Sequence, residues 1–156
     1  MSNTPRGDLT YWRIKMTRIY DVPVNDLIKQ LAEDLKEVDA IKPPEWASFV
    51  KTGQNRERPP VERDWWYVRT AAVLRKVKRL GPVGTEKLRN HFGGKKRRGY
   101  RRPVFVKSSG SVLRKALQQL ETAGLVKQGE KGVHKGRIVT GAGDKILNNA
   151  ALKVKK

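Results

Sequence analysis

The chain has 156 residues, enough for one domain or a smaller one with an added helical arm. It holds no cysteine, which excludes a disulfide framework and a thiolate metal site, and no apolar run approaches the ~20 residues that cross a bilayer. With 35 Lys and Arg against 15 Asp and Glu, the net charge of +20 calls for a polyanionic partner, nucleic acid first and an anionic membrane a distant second.

Residues 1–15 show no periodicity, and a regular pattern begins at Met16. The expectation is a flexible arm, or a true start at Met16. The N-terminus lacks the apolar core of a signal peptide, so a soluble intracellular protein is expected. From Arg18 to Lys36, Leu27, Ile28, Leu31 and Leu35 form an apolar stripe, with Asp21 and Asn25 as possible caps and Pro23 suited to a first turn. Glu45 to Val50 is short enough for one helical turn or two, carrying Trp46 and Phe49. Residues 51–64 are polar, charged and proline-containing, which reads as a surface loop.

Asp64 is positioned to cap a helix over residues 65–80, ended by Gly81-Pro82. Trp66, Val73, Val77 and Leu80 make its inner stripe, with Val68 and Ala72 beside it. Arg75, Lys78 and Arg79 gather on another side. Trp65 and Trp66 point about 100° apart, so one can be core while the other forms a platform for stacking on a base or sugar. The alternative is that both lean on the N-terminal arm. Val83 to Phe92 reads as a short second helix with Val83, Leu88 and Phe92 turned inward.

Six of the eight residues from Lys95 to Arg102, namely Lys95, Lys96, Arg97, Arg98, Arg101 and Arg102, are basic, and Tyr100 stands among them. Like charges at this density repel, so a mobile loop is expected until phosphates neutralise it. Val104 to Val106 could form a short strand. Beyond it, Ser111 is a plausible cap for a helix whose apolar face is Leu113, Ala116, Leu117, Leu120 and Ala123 and whose other side carries Arg114, Lys115, Gln118 and Gln119. Gly124 ends it. Leu125 to Gln128 and Arg137 to Thr140 are β-compatible, joined by a glycine-rich turn that holds Lys131, His134 and Lys135. A last amphipathic helix turns Ile146, Leu147, Ala150, Ala151 and Val154 inward.

A helix followed at once by a hairpin with a basic tip is the second half of a winged helix-turn-helix, which sets a polar helix and a basic loop against nucleic acid. An ordinary helix-plus-hairpin core with a solvated loop is the plain alternative. The charge distribution favours the first. Residues 16–64 carry eight basic and ten acidic side chains, a net of −2, whereas residues 65–156 carry 24 and four, a net of +20. The fold expected is mainly α: one winged helix-turn-helix domain over residues 16–156, comprising an N-terminal helical arm (16–64), a basic core (65–156) with a small hairpin wing, and a C-terminal helix.

No enzyme or cofactor chemistry is visible. His91 and His134 have no carboxylate–serine set around them, and two histidines without cysteine make a poor zinc site. The glycines around Thr85 lack phosphate-loop spacing, and Glu86, Glu121, Glu130 and Asp144 are scattered.

The runs RDWWYVRTAAVLRKV, GPVGTEKLRNHFGG, KKRRGYRRP, GSVLRKALQQLETAGLV and GRIVT, in this order, resemble the archaeal and eukaryotic type of small-subunit ribosomal protein nineteen. IYDVP and PPEWASFVKTG also resemble it, and the likeness extends from about Thr17 to Ala151. It implies a winged-helix fold with an extra N-terminal helical pair. It further implies a cytoplasmic protein in the head of the small ribosomal subunit, bound to small-subunit rRNA and its precursor, beside other head proteins, and active in subunit maturation. No membrane or cofactor is implied, and the free protein is expected to be a monomer. The positions it points to are Trp65, Arg69 and Arg75, then Lys95 through Arg102, Arg114, Lys115, Lys135 and Arg137; Arg79 and Gln118 lie on the same charged faces. A DNA-binding regulator with the same helix and wing is the rival reading, and a protein–protein adaptor a third.

Overall fold

A computed structural model describes residues 19–155. Residues 1–15, the alternative start at Met16, and the positions of Thr17, Arg18 and Lys156 lie outside the described residues.

Five α-helices and two antiparallel hairpins follow one another among the described residues. They are α1 (Val24–Lys36), α2 (Trp65–Leu80), α3 (Thr85–His91), β1 (Gly94–Arg98), β2 (Arg101–Val106), α4 (Gly110–Thr122), β3 (Val126–Lys131), β4 (His134–Val139) and α5 (Gly141–Lys155), with a 3-10 turn at Glu45–Ser48. The architecture is mainly α and winged-helix-like.

Helix α2 is the hub. It packs against α1, α4, α5 and β4, so it is covered on most sides. Its buried residues accordingly run round the helix: Trp66, Thr70, Ala71, Val73, Leu74, Arg75 and Val77. The sequence expectation of a single stripe of Trp66, Val73, Val77 and Leu80, with Val68 and Ala72 beside it, undercounts this burial, and Leu80 is only half-buried. The Thr70 hydroxyl, fully enclosed, donates to the Trp66 carbonyl at 2.9 Å. Gly81, at φ 71°, accepts the left-handed turn that ends α2, and its amide donates to the Val77 carbonyl.

Trp66 ties the arm to the core. Its ring meets Trp46 edge-on at 5.6 Å and Trp65 at 5.4 Å, and its indole N–H donates to Gln119 Oε1 at 2.8 Å. The Gln119 amide in turn donates to the Lys42 carbonyl. Gln119 is therefore a structural link between α4 and the arm, although the pattern of α4 places it on the polar face. Leu27, Leu31 and Leu35 of α1 are fully buried against α2 and α5, each contributing about 1.5–3 kcal/mol by leaving water.

Val83 completes the wing sheet. Its amide and carbonyl pair with the carbonyl and amide of Arg137 at 3.2 and 3.0 Å, adding a bridge beside β4. Strands β3 and β4 pair from Val126↔Val139 to Lys131↔His134. The turn is thus only Gly132-Val133, in place of the long glycine-rich loop that the sequence suggests; Gly129 and Gly136 lie within the ladder. The Gly136 site is crowded, since a Cβ there would stand 2.5 Å from the Val83 amide nitrogen.

Helix starts also differ from expectation. Ser109, not Ser111, precedes α4, and Pro23 precedes α1, neither with a side-chain cap bond. Asp64 does precede α2, but its carboxylate is engaged by Lys36 instead of the first-turn amides. Thr140 is a working cap that the pattern does not reveal: its hydroxyl oxygen accepts from the Gly143 amide and its O–H donates to the Gly124 carbonyl.

Candidate nucleic-acid interface

The basic run expected to be a mobile loop is a paired hairpin. Strand β1 pairs with β2 through Gly94↔Val106, Lys95↔Phe105, Lys96↔Val104 and Arg98↔Arg101, with a register irregularity between Lys96 and Arg98. Gly99 closes the turn at φ 62°, and Tyr100 at the tip is fully exposed. Repulsion does not open the run, because the backbone ladder and the solvent both oppose it. Side chains that splay into water repel by only about 1 kcal/mol at 4 Å, less than a ladder of hydrogen bonds supplies.

All six cations of the hairpin are exposed, and none has an ion-pair partner among the described residues. Arg98 and Arg101 stand directly opposite each other, a like-charge pair that a sheet ordinarily avoids. Arg98 is partly relieved by donating from Nε and Nη2 to the Arg102 carbonyl at 2.9 and 2.7 Å. The hairpin makes few contacts with the helices and stands off from them. A set of uncompensated cations on an exposed, hydrogen-bonded scaffold suits phosphates spaced along a backbone.

Helix α4 presents Arg114, Lys115 and Gln118 to solvent, as expected. Exposed Arg79 lies at the C-terminal end of α2. Trp65 is half-buried while Trp66 is core, so the tryptophan pair divides as the helix geometry requires. Arg69 lies one turn after Trp65, with its guanidinium over the Phe92 ring at 4.9 Å. Burial, and secondarily repulsion from Arg56, lower its pKa from the ordinary arginine value.

Three of the expected contact residues are engaged within the fold. Arg75 is buried in the packed surroundings of α2, with Nε unpartnered and 9% of its surface exposed, so it is not part of an open basic cluster. Arg137 pairs with Glu121 at 3.6 Å, and its backbone holds Val83. It is half-buried and acts first as a sheet residue. Lys135 is exposed, but Glu130 directly across the ladder pairs with it at 3.1 Å. A surface pair of this kind is weak and can yield to a phosphate.

Lys131, expected in the wing turn, is an exposed cation of β3, and so is Lys127, which the pattern does not single out. Only strand alternation could have indicated Lys127. In the basic half, the carboxylates are used for local clasps: Glu86 takes Arg89 at 2.6 Å and Lys107 at 3.1 Å, and Asp144 takes Lys78 at 2.7 Å. The two hydrogen-bonded cations, Arg89 first, hold the Glu86 carboxyl below its ordinary value. No group of His, Cys, Asp or Glu that could hold a metal occurs among the described residues, and no described helix is long and apolar enough to cross a membrane.

Fold and surface together define a strongly basic winged-helix-like protein that carries a cluster of unpaired cations on a hairpin between α3 and α4. The profile of the family described as Ribosomal protein S19e matches residues 18–156, and the chain belongs to that family. It is accordingly a structural, non-enzymatic ribosomal protein. It is 46% identical over 141 residues to small ribosomal subunit protein eS19 of Aeropyrum pernix, covering 89% of this chain and 90% of that one. Identity to the protein of the same name in Haloarcula marismortui is 45% over 140 residues, covering 87% and 90%. With small ribosomal subunit protein eS19G of Ascaris suum it is 38% over 143 residues, covering 92% and 95%.

Proposed function

We propose that this chain is a structural constituent of the small ribosomal subunit that binds small-subunit rRNA and supports maturation of that subunit. The observation that carries the reading is the β1–β2 hairpin, with six exposed cations and no carboxylate paired to any of them among the described residues. A-form RNA hides its base edges in a deep groove, so a protein reads phosphates, 2′-hydroxyls and splayed bases. Arginine suits this task because its planar fork grips phosphate bidentately and stacks on bases. The hairpin and the Arg114–Lys115–Gln118 face of α4 form the main contact surface in this reading, with the wing lysines beside it. Residues 16–156 act as one winged-helix unit, monomeric when free and placed in the cytoplasm on the subunit head, where neighbouring head proteins join the RNA as partners.

The names of the relatives support the assignment to the small ribosomal subunit. A DNA regulator is less well supported. Where a DNA-reading helix-turn-helix joins its helices by a 3–4-residue turn, residues 92–109 intervene here, most of them in the basic hairpin. The test is sedimentation of the tagged protein with small-subunit particles before and after a high-salt wash, with footprinting on rRNA against an operator-like duplex. Co-sedimentation released by salt, and protection of rRNA alone, is the expected result. Protection of the duplex instead would overturn the reading.

A further inference from the structure

A cleft of about 960 Å³ opens between α1, the 51–64 segment, α2 and the end of α3. Trp65 and Arg69 form one wall, Arg56 and Arg58 reach in from the segment, and Lys29 comes from α1. None of these four cations has an ion-pair partner among the described residues, and Glu62 is the only acid lining the cleft. The walls are fixed before any ligand arrives. Trp65 rests edge-on against core Trp66, and Arg69 is stacked on Phe92. The segment is held by the Ser109 amide donating to the Thr52 carbonyl and the Arg56 amide to the Gly53 carbonyl, both at 3.1 Å. Burial, and secondarily repulsion from nearby Arg56, lower the Arg69 pKa from its ordinary value.

We propose that this cleft receives one unpaired nucleotide of RNA, its base stacked on Trp65 and its phosphate held by Arg56 and Arg58. The inference rests on the RNA-binding reading but concerns a surface separate from the hairpin. The phosphates of a regular helix lie on a convex surface and cannot follow a concave one; an extruded nucleotide can. The volume lies within the range of about 300–1,000 Å³ typical of small-ligand sites. An acidic peptide would satisfy the cations but would have no use for an indole face.

The experiment uses the full chain and follows tryptophan fluorescence with a single-stranded tetra-adenylate, an A-form duplex and hexaglutamate. The tetranucleotide is expected to quench and to bind more tightly than hexaglutamate. Trp65→Leu should weaken it at least about fivefold. Arg58→Gln should weaken it about fivefold at 0.1 M salt. The hairpin variant K95Q/K96Q/R97Q/R101Q should weaken the duplex more than the tetranucleotide, whereas Arg58→Gln should weaken the tetranucleotide more than the duplex. Arg58 is exposed and decides the matter if Trp65→Leu loses structure. Tetranucleotide affinity that is absent, indifferent to Arg58→Gln, or matched by hexaglutamate overturns the pocket while leaving the ribosomal reading intact. Failure of the wild-type chain to bind rRNA fragments would overturn that broader reading instead.

Discussion

Removing four hairpin charges gives a quantitative test of how the protein holds RNA. Lys95, Lys96, Arg97 and Arg101 are exposed and unpaired, whereas Arg98 is tied to the Arg102 carbonyl and is left in place. The quadruple K95Q/K96Q/R97Q/R101Q variant therefore removes charge without removing a contact that holds the hairpin. If the wild-type chain neutralises about 4–8 phosphates, its log–log salt slope is roughly 3–7 in magnitude, at about 0.7–0.9 per phosphate. Loss of four contacts lowers the slope by about 3–4. At 0.1 M salt the same term amounts to about a 10³-fold loss of affinity, shrinking towards none as salt approaches 1 M. The assay is filter binding or anisotropy on an rRNA fragment at several salt concentrations, with circular dichroism and thermal melting as controls. Exposed substitutions of this kind should change stability by no more than about 0.5 kcal/mol. An unchanged slope with an intact fold would refute the idea that the hairpin meets phosphates.

Trp66→Ala should destabilise the chain by about 3–5 kcal/mol in denaturant unfolding, because it empties the junction of Trp46, Trp65 and α4 and strands Gln119. Gly136→Ala should cost about 1–3 kcal/mol by forcing β4 away from Val83, while Gly141→Ala, with open space around its Cβ, should stay within about 0.5 kcal/mol; thermal melts of the two variants make the comparison. Lys153→Ala removes an exposed pair to Asp34 and should change stability by no more than about 1 kcal/mol. Glu86 should ionise below its ordinary value of 4.5 in a carboxyl-detected NMR titration. Its carboxyl is depressed on folding, so the clasp to Arg89 and Lys107 contributes above the unfolded pKa and is lost as pH falls through the folded one. In Lys107→Gln the midpoint should move back upward.

Periodicity discloses the helices because each buries one face. The leucines of α1, the Leu113–Leu117–Leu120 face of α4 and the Leu147–Ala150–Ala151 face of α5 are all legible from residue spacing alone. Arg75 is misread for the converse reason: a helix enclosed by four neighbours has no single stripe, so a basic residue on it need not face water. The β1–β2 hairpin is hidden in the sequence because both its faces are wet. Period-two alternation reports a buried face, and a strand of lysines and arginines has none; only Val104, Phe105 and Val106 resemble a strand. Of the interface, the cations are evident in the sequence and their scaffold is not. Nor does the sequence foretell the cleft at Trp65, since Lys29, Arg56 and Arg69 are brought together by packing between distant segments.

The separation of α1 from the hairpin has one more effect. Asp26, Glu33 and Asp34 lie on a helix, capped by Glu37, that packs on α2 and α5, while the cationic hairpin stands off from the core beyond α3. The molecule is therefore an electric dipole as well as a net positive ion. In the field of a polyanion it experiences a torque as well as a pull, and rotates to lead with the hairpin before any atoms touch. A larger fraction of diffusive collisions then begins in a usable orientation, a gain in association rate that vanishes as added salt shortens the reach of the field to a few ångströms.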